Sequence, residues 1–137
     1  MAHDPVRVAE ARGWFVKARG DLRAATVDMS AEPPLLEDAL FHAQQAVEKT
    51  LKGFLAWHDR PARRTHNLVE LGGLCAEIDV SLETLLRRVA PLSEYAWRYR
   101  YPGELGEPSA SEAEEALALA GQVVEAVLGR VPGEVRP

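Results

Sequence analysis

The sequence has a single cysteine, Cys75, among its 137 residues. One thiol allows no disulfide within the chain and no metal site built from several cysteines. No apolar run approaches the roughly 18 residues that a membrane-spanning helix needs, so none is predicted. Residues 1–5 lack a basic stretch followed by an apolar one, and a signal peptide is therefore not expected. We expect a cytoplasmic protein with no membrane association.

Basic residues are in the minority. Lysine and arginine number 16 against 21 acidic residues, which gives a net charge of −5. A protein that holds nucleic acid through its overall field is usually basic, so any RNA contact here must come from a local patch. Hydrophobic residues make up 47% of the chain, a globular composition, and its length fits one domain spanning residues 1–137.

Apolar residues recur at helical spacing along the chain, and no segment alternates as a strand does. The predicted helices cover about residues 5–27, 34–58 and 67–77, followed by one that begins after Ser81 and one that begins near Ser111. Pro91 must kink or split the fourth helix, and Glu114 would complete a capping box with Ser111. Short loops between these helices predict an all-α, up-and-down antiparallel bundle of about five helices. Its core would span about residues 8–128, and the tail at 129–137 should fray.

The second predicted helix has two distinct faces. On one face lies a continuous apolar stripe of Leu36, Leu40, Ala43, Val47, Leu51 and Phe54. His42, Gln45 and Lys49 fall within roughly 60° of one another on the opposite side, at 100° per residue. Two interpretations remain open: a solvated polar face, or a second contact surface for a dimer partner or a ligand. Phe41 borders this face, so Phe41, His42 and Gln45 are the candidate interface residues.

Arginines cluster in two places. One cluster is the loop at residues 60–66, which ends in His66, and the other contains Arg98, Arg100 and Tyr101. Arginine next to tyrosine suits phosphate binding and base stacking, although either cluster could equally be a solvated surface. The histidines have no metal-ligand spacing, and there is no glycine-rich phosphate loop. Neither a metal ion nor a cofactor is therefore predicted.

Several segments together resemble the HEPN domain. They are residues 41–49 with Leu51 and Lys52, residues 65–68 with Leu71, Tyr95, and residues 100–102, and the first helix is also similar at Trp14, Ala18, Asp21 and Leu22. The resemblance covers about residues 8–128, in the order and spacing of the family. It implies a helical bundle, often a homodimer. It also implies a prokaryotic stand-alone protein that is commonly encoded beside a minimal nucleotidyltransferase, as toxin and antitoxin.

Many HEPN proteins are metal-independent RNases, in which an arginine and a histidine four to six residues later meet across a dimer. Here no histidine follows Arg98 or Arg100. The spacing from Arg60 to His66 fits, but this pair lies between the second and third helices, where the family does not place the motif. The family's RNase residues therefore do not carry over to this sequence.

Two hypotheses follow from the sequence. The first is a homodimeric interaction or binding protein, paired with a nucleotidyltransferase antitoxin, that binds a nucleotide or RNA phosphate through Lys49, Arg98, Arg100 and Tyr101. The alternative is a metal-independent RNase toxin with an atypical active site, for which His66 and Arg100 are the candidate catalytic residues.

Overall fold

The computed structural model describes residues 2–99, 101–103 and 106–137, without the side chains of Tyr95 and Ala96. Within these ranges the chain is helical and has no strand, which confirms the all-α prediction. The helices are α1 (Pro5–Ser30), α2 (Leu36–Trp57), α3 (Leu68–Ile78), α4 (Glu83–Val89), α5 (Leu92–Arg98) and α6 (Ala110–Leu128). Short 3₁₀ helices cover Val80–Leu82 and Gly133–Val135. None of the helices described is both long enough and apolar enough to cross a membrane.

Helix α2 is the centre of the bundle. It pairs along its length with α1 and is also covered by α3, α5 and α6. Of its 22 residues, 14 are buried, so no other helix contributes as much to the core. The predicted apolar stripe faces inward: Leu36 is half-buried, and Leu40, Ala43, Val47, Leu51 and Phe54 are buried.

Helices α1 and α2 pack closely at Gly53. A Cβ atom at this position would lie 2.7 Å from Cε1 of Phe15, which is itself buried. Only glycine allows the Phe15 ring to lie against the backbone of α2 at this distance. The two helices therefore pack closely because the large side chain of Phe15 occupies the space that glycine leaves at position 53.

The structure corrects the predicted cap of the last helix. Helix α6 begins at Ala110, and its N-cap is Ser109, because Ser109 Oγ accepts a hydrogen bond from the backbone N–H of Glu112 at 3.0 Å. The capping pair is therefore Ser109 and Glu112. The backbone N–H of buried Ala113 already bonds to the carbonyl oxygen of Ser109.

The helix predicted to begin after Ser81 is α4, which begins at Glu83. The 3₁₀ turn before it is capped by Asp79, whose carboxylate accepts from the Ser81 N–H at 3.0 Å.

The predicted fourth helix is split in the structure, as Pro91 requires, into α4 and α5. The segment from Gly129 to Pro137, for which fraying was expected, instead packs against α1. Val131 and Val135 are buried in the core, and the side chains of Arg12 and Arg19 donate to the main-chain oxygens of Arg136 and Pro137. Two buried valines give this short tail enough apolar contact to hold it in place.

A matched pair of glycine substitutions tests this packing. Gly53→Ala should lower the free energy of unfolding by about 1–3 kcal/mol, because the new methyl group would overlap the Phe15 ring. Gly20→Ala should raise it by about 0.5–1 kcal/mol, because no atom lies within 4 Å of the added Cβ and alanine favours the helix. Urea denaturation followed by circular dichroism measures both, and equal effects of the two substitutions would contradict the packing described.

Candidate functional site

Two polar clusters lie along α2. In the first, Asp21 of α1 reaches across to α2 and meets two side chains there. Its carboxylate oxygens lie 2.9 Å from Nδ1 of His42 and 2.6 Å from Nζ of Lys49. His42 and Lys49 are seven residues apart, or about two turns, so they lie on the same side of the helix. Asp21 is buried, and these two contacts satisfy both of its oxygens.

The first cluster shows that the predicted polar face of α2 is directed toward α1. His42, Gln45 and Lys49 are all only partly exposed. The side-chain amide of Gln45 donates to Oε1 of Gln44 at 2.7 Å, while the other two residues contact Asp21. Their polar atoms are therefore used within the chain. A sequence pattern could not show this, because α1 covers a side of α2 that its own apolar stripe leaves open.

The second cluster surrounds a buried carboxylate, Glu48, whose side chain is 6% exposed. Gln44 donates to its Oε1 at 3.2 Å, and Nζ of Lys52 lies 3.1 Å from its Oε2. Lys52 is equally buried, donates to the carbonyl oxygen of Arg63 at 3.3 Å and lies 5.5 Å from the centre of the Trp14 ring. These contacts offset the free energy that burying both charges costs. An isolated ion pair without the additional hydrogen bonds would offset only part of it.

His66 joins this cluster from the loop between α2 and α3. Its Nδ1 lies 3.1 Å from Oε2 of Glu48, whereas 68% of its side chain is exposed. When the imidazole donates from Nδ1, Nε2 carries the free lone pair. A buried carboxylate therefore holds a histidine whose other nitrogen is directed to the solvent side, an arrangement that suits a general base.

The loop that carries His66 also forms an open cavity of about 590 Å³. Its lining residues are Pro61, Ala62, Arg63, Arg64, Thr65 and Glu70. Arg63 pairs with Glu10, whereas Arg64 is exposed and forms no ion pair within the described ranges. This surface therefore combines a free guanidinium with the nearby imidazole.

The predicted phosphate-binding residues do not form one cluster in the described part of the chain. Lys49 is paired with Asp21, and Arg98 donates to Glu94 at 3.3 Å. Arg100 lies outside the described residues. Tyr101 is 70% exposed. No described contact joins Lys49 to Arg98 or Tyr101, so they bind a common ligand only if it spans the distance between them.

Helix α5 instead brings aromatic residues together near the start of α2. The rings of Phe41 and Trp97 meet edge to face with 5.9 Å between their centres, and Trp97 remains 44% exposed. The Tyr99 hydroxyl donates to Glu112 of α6 at 3.1 Å, which ties the segment after α5 to the bundle. Sequence reasoning placed Phe41 at an interface but did not identify Trp97 as its neighbour.

Burial raises the pKa of two further groups. Burial raises the pKa of the Cys75 thiol to about 12, and its Sγ faces the carbonyl oxygen of Leu51, so the nucleophilic thiolate is scarce at neutral pH. Burial also raises the pKa of Asp28, an effect that His42 partly opposes. Among the described residues no group of three or more histidine, cysteine or acidic side chains could hold a metal ion.

Comparison with known protein families identifies the family of this chain. The family model of the HEPN domain matches residues 11–131. The match covers most of the chain, and the protein therefore belongs to the HEPN family, which is associated with nucleotide- and RNA-related functions and with toxin–antitoxin systems. No curated protein and no solved structure matches the chain.

Proposed function

We propose that this HEPN protein is a binding module that forms a homodimer, pairs with a minimal nucleotidyltransferase in a toxin–antitoxin system, and binds the phosphate groups of a nucleotide or RNA. The supporting observation is the exposed surface at and after the end of α5. Trp97 and Tyr101 offer aromatic faces for base stacking, and Arg98 between them in sequence offers a guanidinium for phosphate. We include Arg100 in this surface on the basis of the sequence alone.

Family membership supports the proposed assembly, since HEPN domains commonly dimerise. Light scattering should give about twice the chain's 15.1 kDa for the purified protein. Co-expression with the minimal nucleotidyltransferase of the neighbouring open reading frame should give a larger complex that contains both chains. A monomer that forms no complex would overturn this part of the proposal.

Phosphate binding at the end of α5 is tested with a fluorescent single-stranded RNA of about twelve nucleotides. Binding followed by fluorescence anisotropy should weaken steeply with salt, and Arg98→Gln should lower both the affinity and the salt dependence by about one phosphate contact. Arg87→Gln is the matched control, because Arg87 also pairs with a glutamate four residues earlier but lies on α4. If both substitutions weaken binding equally, the site is not at Arg98.

The second candidate function is a metal-independent RNase, which the contact between His66 and Glu48 favours. In such an enzyme Nε2 of His66 would take the proton from a 2′-hydroxyl, and a nearby arginine would stabilise the charge that develops on the phosphate. Arg64 is a guanidinium of this loop that forms no ion pair among the described residues, whereas the sequence pointed to Arg100.

Cleavage of single-stranded RNA in the presence of a chelator tests this alternative. If the protein is an RNase of this kind, His66→Gln should lower the rate by at least a hundredfold, because the proposed general base is lost. His3→Gln serves as the control, because it changes an exposed histidine that contacts Trp57 and Glu134 and has no described contact with Glu48. Absence of cleavage, or cleavage that survives His66→Gln, would exclude this assignment.

A further inference from the structure

The outer face of α1 has an apolar seam that nothing in the described chain covers. We define the α1 seam by Val6, Ala9, Gly13, Val16, Gly20 and Val27, all of which are exposed. It includes three of the eight large apolar side chains that are exposed in the described residues: Val6 (73%), Val16 (50%) and Val27 (59%). The buried residues of α1, such as Phe15 and Ala18, lie on the opposite side.

The spacing of the seam is that of a helix pair. Its members from Val6 to Gly20 alternate in steps of three and four residues, which is the heptad spacing of helices that pack side by side over several turns. A lone exposed helix has no need of this regularity, because its outer residues contact only water.

Two glycines within the seam point the same way. Gly13 and Gly20 lie inside a continuous helix, where glycine is less favourable than alanine. A Cβ atom at either position would meet nothing within 4 Å. Packing inside this chain therefore does not require glycine there, in contrast to Gly53. A second helix that approaches α1 closely would meet these positions directly.

The charges beside the seam are all of one sign. Arg12, Arg19 and Arg23 lie within about 40° of one another along one edge, at 100° per residue. Lys17 lies on the other edge, and the whole exposed arc between them contains no acidic side chain, although the chain as a whole has a charge of −5. The nearest carboxylate beyond Lys17 is that of Glu10, which is paired with Arg63.

The tail of the chain holds two of these arginines in place. Nε of Arg12 donates to the main-chain oxygen of Arg136 at 3.2 Å, and Nη1 of Arg19 donates to that of Pro137 at 3.4 Å. No side-chain carboxylate in the described chain forms an ion pair with Arg12, Arg19 or Arg23. The guanidinium groups of Arg12 and Arg19 are therefore held beside the seam by one hydrogen bond each, and their remaining N–H groups are available to an acidic partner.

These charges identify the chemistry of the occupant. Pairing of two α1 seams around a two-fold axis would place arginines opposite arginines or Lys17, which like-charge repulsion disfavours. A single-stranded nucleic acid would be expected to meet exposed aromatic rings, but the seam consists of valine, alanine and glycine. We propose that an acidic amphipathic helix from a different protein docks along α1, with small apolar residues against the seam and carboxylates against Arg12, Arg19 and Lys17.

The test uses two synthetic peptides of about four heptads and the full chain. Both peptides have alanine and leucine at the apolar heptad positions; one has glutamate at the flanking positions and the other has lysine. We expect the glutamate peptide to bind in fluorescence anisotropy and the lysine peptide to bind at least tenfold more weakly, because only the first complements the arginines. The double variant Arg12→Glu/Arg19→Glu should reverse this preference.

Two single variants distinguish binding at the α1 seam from a general effect of the protein's charge. Gly20→Gln adds a bulky polar side chain to the seam without opposing helix formation, and it should weaken binding of the glutamate peptide about tenfold. Arg87→Glu reverses one charge on α4, as each substitution of the double variant does on α1, and should leave the affinity within twofold of the original.

Three outcomes would overturn the proposal: no binding of the glutamate peptide, equal loss with Arg87→Glu, or unchanged affinity with Gly20→Gln. A change of oligomeric state in Arg12→Glu/Arg19→Glu, seen by light scattering, would make a second copy the occupant and would also overturn it. Because the RNA test at Arg98 involves a different surface, each proposal can fail without the other.

Discussion

Burial of α2 from nearly every direction is the constraint on which the rest of the structure depends. Once α1 and α6 enclose it, each polar group on its inner surfaces must find a partner inside the protein or destabilise the fold. Asp21 and Glu48 are the two carboxylates that meet this need, one supplied by α1 and one by α2 itself. The positions of His42, Lys49, Lys52 and His66 follow from these two carboxylates, so the polar chemistry of the molecule is organised around the core.

The sequence predicted those parts of the fold that depend on local pattern. The apolar stripe from Leu36 to Phe54 identified the central helix, and Pro91 correctly indicated a break. The N-cap of α6 was harder to predict, because the pair Ser109 and Glu112 has the same spacing as the pair Ser111 and Glu114. The hydrogen bond from the Glu112 N–H to Ser109 Oγ decides between them. The contacts that hold the tail after Gly129 could not be predicted, because Arg12 and Arg19, which bond to it, lie on α1, more than a hundred residues earlier in the chain.

The candidate site was less accessible to sequence reasoning. The sequence of one helix gives the direction of each side chain around the helix axis, but it does not show which other helix packs against each side. Lys49 was therefore grouped with Arg98 as a possible anion-binding residue, whereas its ammonium group meets Asp21. The partnership of Glu48 with His66 joins residues 18 positions apart through a loop whose path no periodicity encodes. The similarity to the HEPN family pointed to segments of α1, α2 and the loop after α2, and the structure shows which of their side chains contact one another.

The loop between α2 and α3 has an unusual relation to the interior. Surface loops commonly open and close independently of the domain to which they belong. Here the buried Lys52 bonds to the backbone of Arg63, and the buried Glu48 contacts His66, so both sides of this loop are fastened to the core. Opening it would remove partners from two buried charges at once. Opening of this segment therefore disturbs polar contacts inside the bundle, which is not true of a loop with surface contacts alone.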